Sequence, residues 1–160
     1  MSLFLQRYQA GLRWLPALCF AIAIFFFSSA PGDEIYQSYH RLETTVQAIS
    51  PTLAPGASSA PTTASVLLSL DWLKVAHGVG YFCLGVSVLY ALSARSRWSP
   101  IMALILCFLY SITDEIHQGF VPQRSASVTD VLLDTLAALI GVALMLGVRA
   151  SRNYFSKIRP

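Results

Sequence analysis

Four apolar runs alternate with polar connections along the chain: roughly Leu12 to Ser29, Trp72 to Ser93, Ile101 to Thr113 and Val131 to Val148. A helix needs about 20 predominantly apolar residues to cross a bilayer. The second and fourth runs meet that length and the first nearly does. The third is shorter. Its strictly apolar part, Ile101 to Ile112, reaches the far interface only if the helix continues through Thr113 and the polar stretch Asp114 to His117, which draws ionisable groups to the membrane boundary. The pattern predicts an all-α fold: a polytopic bundle of four transmembrane helices, at about 12–29, 72–93, 100–117 and 130–148, in one domain over residues 1–160.

The long connection, Ala30 to Leu70, has its own pattern. Ile35, Tyr39, Leu42, Val46 and Ile49 recur at spacings of four, three, four and three, one apolar stripe of a helix. Such an amphipathic helix would lie on the membrane surface or pack across the ends of the bundle. Pro51, Pro55, Gly56, Ser58, Ser59 and Pro61 then mark an irregular stretch. The other connections are short: Arg95 to Pro100, with Pro100 suited to a helix start, and Gly119 to Thr129, where Gly119 and Pro122 favour a turn. Short connections imply antiparallel neighbours, so spans two, three and four are expected to form a compact bundle with span one tethered more loosely.

Charge orients this arrangement. All eight acidic residues fall between Asp33 and Asp71 or between Asp114 and Asp134, and nine of the eleven basic residues lie outside these stretches. Assigning span ends to the face they adjoin gives 0 acids with 8 bases on one side and 8 acids with 3 bases on the other. The excess of Lys and Arg predicts cytoplasmic termini, with the acids facing outward. A cleavable leader ending at Ser28-Ser29-Ala30 is the alternative, but it would reverse the alternation that sorts the charges. With 55% hydrophobic and 12% charged residues, the composition departs from a soluble domain, and the net charge of +3 averages two opposed faces. The basic residues are flanks of spans, so no nucleic-acid partner is expected. Cys19, Cys83 and Cys107 lie in separate apolar runs without metal-ligand spacing and read as small hydrophobes.

Polar residues then converge at the outer ends of spans two, three and four. In span two Asp71, Lys74, His77, Gly78 and Tyr81 share one helical face. Lys74 can snorkel to the interface, whereas His77 lies deeper. Gly78, Gly80 and Gly85 offer surfaces where another helix can approach. Span three ends in Thr113-Asp114-Glu115-Ile116-His117-Gln118. Asp114 can share a face with His117 and Gln118, three and four residues on, and a carboxylate there would orient the imidazole; Glu115 points elsewhere. Arg124, in the turn before span four, has the rigid fork of donors that suits carboxylate or phosphate. Its structural alternative is an ion pair with Asp130 or Glu115. Ser127, Thr129 and Asp130 are suitable caps, and Asp134, four residues after Asp130, is expected to turn inward with it rather than face lipid. These residues sort into a candidate catalytic set, His117, Asp114, Glu115 and His77, and a candidate substrate-binding set, Lys74, Arg124, Gln118, Tyr81 and Asp130. No cofactor is expected. A divalent metal is the alternative, since His77, Asp114, Glu115, His117 and Asp130 are suitable donors, but no H-E-x-x-H motif or Cys pair fixes a ligand set.

Three motifs resemble the VanZ-like family of small bacterial membrane proteins. They are Phe27-Ser28-Ser29-Ala30-Pro31-Gly32, then Lys74-x-x-His77-x-x-x-Tyr81-x-x-x-Gly85, then Asp114-Glu115-Ile116-His117-Gln118-x-Phe120-Val121-Pro122-x-Arg124 leading to Asp130. The third is the most specific. Gln123 departs from the Gly usual after the Pro, and Asp134 and Ala137 replace an Asn-x-x-Gly pair, which bears on turn geometry and close helix packing. The resemblance implies a polytopic membrane protein, associated in some members with low-level resistance to the glycopeptide teicoplanin. It supplies no reaction. The residues leave two classes open. One is an enzyme acting on a lipid-linked or phosphate-bearing amphiphile, with Lys74 and Arg124 holding the anion and His117 transferring protons. The other is a lipid- or antibiotic-binding envelope protein without turnover. A proton-coupled transporter is less favoured because no charged series crosses the membrane. The expected partner is membrane lipid, and the oligomeric state is left open.

Overall fold

A computed structural model describes residues 10–32, 72–92 and 96–158, together with Gln37, Arg41, Thr44, Thr45 and Ala48 singly. Among the described residues it has four continuous helices: α1 Leu15–Ser28, α2 Trp72–Ala91, α3 Ser99–Gln118 and α4 Val128–Ile158. Each is long and apolar enough to cross a membrane, α1 when counted from Ala10. The chain is thus an all-helical, four-span membrane protein. The apolar stripe expected between Ile35 and Ile49 lies outside the described residues.

Local chemistry explains the helix starts. Pro16 and Pro100 occupy the first turns of α1 and α3, where a missing N–H is no loss. At α4 the Ser127 hydroxyl accepts from Asp130 N–H at 3.4 Å, and Asp130 places a carboxylate in the first turn. The fourth helix runs ten residues past its expected end at Val148, because Arg149 to Ile158 contains neither Pro nor Gly to stop it.

Small side chains line the inner face of α3, against a core that holds Ile24, Tyr81, Leu84, Val88, Leu89 and Val142. On α3 the buried face is Ser99, Ala103, Cys107 and Ser111, four residues apart, and continues into Asp114, Glu115 and Gln118. Large apolar side chains such as Leu18, Phe26, Leu133, Ile140 and Leu144 point outward instead, as a lipid-facing surface requires. Helix α2 is the hub and packs on the other three, most extensively on α4, to which it runs parallel. At their crossing the two backbones nearly touch. A Cβ on Gly85 would lie 2.6 Å from the Ala138 carbonyl oxygen, and one on Gly141 would lie 2.4 Å from that of Phe82. Close packing therefore survives Ala137, using Gly141 one turn further along.

Span one is not loosely tethered. Ala17, Ile24 and Ser28 are buried on one face of α1, which packs against α2. The Tyr110 hydroxyl of α3 donates to the Ala21 carbonyl at 2.6 Å. A long connection fixes only how far an element can wander, and the small face of α1 with these polar ties decides where it docks.

Candidate functional site

The site occupies the end of the bundle where α1 and α3 finish and α2 and α4 begin. Its centre is Asp114, whose Oδ2 accepts from the Ser28 hydroxyl of α1 at 2.8 Å and from Gln118 Nε2 at 3.1 Å. His77 Nδ1 of α2 approaches the same oxygen at 3.8 Å and Asp134 Oδ2 of α4 at 4.0 Å. Asp134 in turn accepts from the Ser111 hydroxyl at 3.3 Å. One carboxylate thus gathers side chains from α1, α2 and α3, and the nearby Asp134 adds α4.

The expected pairing of Asp114 with His117 gives way to a different one. Residues three apart on a helix differ by about 60 degrees in direction, enough here for each to take its own partner. The His117 ring stacks on Phe25 of α1, with centroids 4.6 Å apart and planes at 27°. Its Nε2 lies 3.0 Å from the Ser29 hydroxyl, whose single proton goes to the Phe25 carbonyl at 2.7 Å. The ring is therefore the donor to Ser29, and Nδ1 of the neutral imidazole is left as the proton acceptor.

Glu115, expected to point elsewhere, lies on the same buried face as Asp114, shares Gln118 Nε2 with it and clamps two helices. Its Oε2 accepts from Ser127 N–H at 2.7 Å at the start of α4, and its Oε1 from Gln118 Nε2 at 3.1 Å. Arg124 pairs with neither Asp130 nor Glu115. Its Nη1 donates to the carbonyls of Ser28 at 3.2 Å and Phe27 at 3.5 Å, closing the end of α1, and these are its hydrogen bonds among the described residues. Lys74 takes Asp130 instead, at 3.0 Å, a partly exposed pair contributing at most about 1 kcal/mol.

In the turn between α3 and α4, closed by Arg124 N–H donating to the Val121 carbonyl at 3.2 Å, Gln123 adopts φ +60°, a left-handed conformation that favours glycine. Gly32 packs against it. Gly32 N–H donates to the Pro122 carbonyl at 3.2 Å, and a Cβ on Gly32 would lie 2.5 Å from the Gln123 carbonyl oxygen. The two motifs flanking span one and span three are thus one structural unit.

Tyr81 is fully buried, stacked at 6.4 Å from His77. Its hydroxyl, His77 Nε2 and Asp114 Oδ1 are the buried side-chain polar atoms that have no hydrogen-bond partner among the described residues. The cluster also contains Ser28, Ser29, Ser111 and Asp134, none of them in the candidate sets. Ser111 had a signal, since it lies three residues before Asp114 on the small-residue face of α3. Ser28 and Ser29 had only their place in the weakest motif. Among the described residues, no three or more His, Cys, Asp or Glu side chains form a group that could hold a metal ion.

A profile of the VanZ/LLP1 family matches residues 13–149, from the start of span one through most of α4. No curated protein and no solved structure matches the chain.

Proposed function

The chain belongs to the VanZ/LLP1 family, and from that premise we propose that its polar end is an extracytoplasmic, interface-level site that binds or acts on an anionic amphiphile of the cell envelope. The charge asymmetry of the connections supports the orientation, with both termini in the cytoplasm. The observation that carries the reading is the trio of buried atoms, His77 Nε2, Tyr81 Oη and Asp114 Oδ1, without partners among the described residues. Buried polar atoms are nearly always paired, so three in one cluster mark a place for polar atoms from outside the chain. Arg124 supplies the anion contact. Its bonds to the end of α1 use Nη1, leaving Nε and Nη2 for two oxygens of a phosphate or carboxylate. His117, held by Phe25 and Ser29, offers Nδ1 to a proton. Binding without turnover is the second reading. It is favoured by the bonds that occupy Glu115 and tie His117 to Ser29.

Arg124→Lys separates a ligand contact from a structural one. The contacts to the Phe27 and Ser28 carbonyls use one nitrogen, which Lys can replace, whereas a two-pronged contact to an anion cannot be rebuilt by an ammonium. Wild type, Arg124→Lys and Arg124→Ala proteins are purified in parallel and their co-purifying lipid identified by mass spectrometry, before and after incubation to detect turnover. The Lys variant should match wild type in abundance and lose roughly tenfold in lipid retention, the worth of a charge-assisted contact. Wild-type retention in Arg124→Lys would sink the anion assignment. Teicoplanin susceptibility of cells producing each protein tests whether the family's association with resistance extends to this chain.

A further inference from the structure

Asp114 and Asp134 have side-chain exposures of 1% and 5%, and their only ionic neighbour within 4.0 Å among the described residues is His77. Carboxylates at membrane depth are retained when a positive charge or a ligand meets them. Tyr81 points to a ligand independently. It is a fully buried side chain whose hydroxyl makes no hydrogen bond of standard geometry among the described residues, although Ser111 lies close enough to influence it. With His77 Nδ1 turned toward the two carboxylates, that nitrogen takes the ring proton and Nε2 becomes an acceptor. The three unpartnered atoms, His77 Nε2, Tyr81 Oη and Asp114 Oδ1, can then all accept hydrogen bonds. A primary ammonium has three donors and one positive charge. It supplies a donor to each of the three atoms and offsets one of the two carboxylate charges. Ser28 joins the cluster to Arg124, since its hydroxyl donates to Asp114 at 2.8 Å and its carbonyl accepts from Arg124 Nη1 at 3.2 Å, so an anion subsite adjoins the cluster.

We propose that His77, Tyr81, Asp114 and Asp134 hold the primary ammonium of a zwitterionic headgroup whose phosphate lies against Arg124. This rests on the reading of the site as an amphiphile site and names its headgroup class. The chemistry is that of an ethanolamine phosphate, carried by a phospholipid or free in solution.

The test uses the full-length protein, stripped of lipid in detergent, and short-chain phospholipids that differ only in headgroup: ethanolamine, choline and glycerol. Soluble phosphoethanolamine is the fourth ligand. Ethanolamine phospholipid should bind about tenfold or more tightly than the choline lipid, which lacks N–H donors, and the glycerol lipid, which lacks the cation. In Asp134→Asn the advantage of the ethanolamine lipid over the glycerol lipid should disappear. If that variant does not accumulate, the wild-type ranking decides alone. Equal or better binding of the choline or glycerol lipid overturns the ammonium subsite and leaves the anionic site standing; binding of no lipid overturns both. Preferential binding of either ethanolamine ligand supports the subsite, and the ratio of the lipid to the soluble form tells which source it takes.

Discussion

The crossing of α2 and α4 makes a quantitative prediction about how two glycines share one contact. A methyl at position 141 would lie 2.4 Å from the Phe82 carbonyl oxygen and one at position 85 would lie 2.6 Å from that of Ala138. A relaxed carbon–oxygen contact is about 3.3 Å, so the helices must part by about 0.9 Å for Gly141→Ala and about 0.7 Å for Gly85→Ala. A gap of that size forfeits a quarter to a half of the dispersion energy of the atoms it separates. Overpacking of this kind costs roughly 1–3 kcal/mol, offset in part by up to about 1 kcal/mol of helix propensity gained on replacing Gly. Each single variant should therefore lose about 1–2 kcal/mol. The opening that relieves one clash relieves the other, so the double variant should cost little more than Gly141→Ala alone, a coupling of about 1 kcal/mol where independent sites would add. Gly147, which has nothing within 4 Å of its added Cβ, is the control, and Gly147→Ala should be neutral or mildly stabilising. Reversible unfolding in mixed micelles, followed by circular dichroism, measures all four variants. Full additivity of the two losses, or a Gly141→Ala protein as stable as wild type, would refute the close crossing.

Gln123→Gly should stabilise the protein by about 0.5–1 kcal/mol in the same unfolding assay, because it relieves a left-handed backbone at a side chain that tolerates it poorly; a loss of stability would mean that the Gln side chain makes a contact worth more than the strain. Glu115→Gln should cost about 1–3 kcal/mol, since an amide has one acceptor oxygen where the carboxylate serves Ser127 N–H and Gln118 Nε2 with two; unchanged stability would remove Glu115 as the clamp between α3 and α4. Cysteines introduced at Ser59 and Ser96, in a background lacking Cys19, Cys83 and Cys107, test orientation in intact cells: an impermeant thiol reagent should label the first and spare the second, and the opposite result would move the site to the cytoplasmic face.

The four spans were legible because long apolar windows are a strong signal, and the polar ends of spans two, three and four were legible because charged residues at membrane depth stand out against them. Lys74, His77, Asp114 and Asp134 were accordingly expected on one end, and the structure brings them there. The docking of span one was hidden for the opposite reason. In a segment where nearly every residue is apolar, Ala17, Ile24 and Ser28 do not contrast with their neighbours, and only a partner surface reveals which face is buried. The Arg124 contacts were hidden too, since they go to the backbone carbonyls of Phe27 and Ser28, which any sequence would supply.

The exchange of histidine partners shows where sequence spacing stops. Spacing of three brought Asp114 and His117 to neighbouring positions, but neighbouring positions on one helix can still face different helices. Phe25 and Ser29 draw His117 toward α1, while His77 arrives from α2 to meet Asp114. Which of these happens depends on the rotation of α3 about its axis, and that rotation is set by the face it buries. The face is written in the sequence after all, as Ser99, Ala103, Cys107 and Ser111, small residues one turn apart that let neighbouring helices approach. Continuing that stripe by one turn reaches Asp114 and Glu115 and, one turn on, Gln118, and leaves His117 off it. Small residues at fourfold spacing ending in a carboxylate therefore identify an inward-facing acid better than the nearest histidine does. The same stripe turns Ser111 into the bundle, where its hydroxyl meets Asp134 of α4.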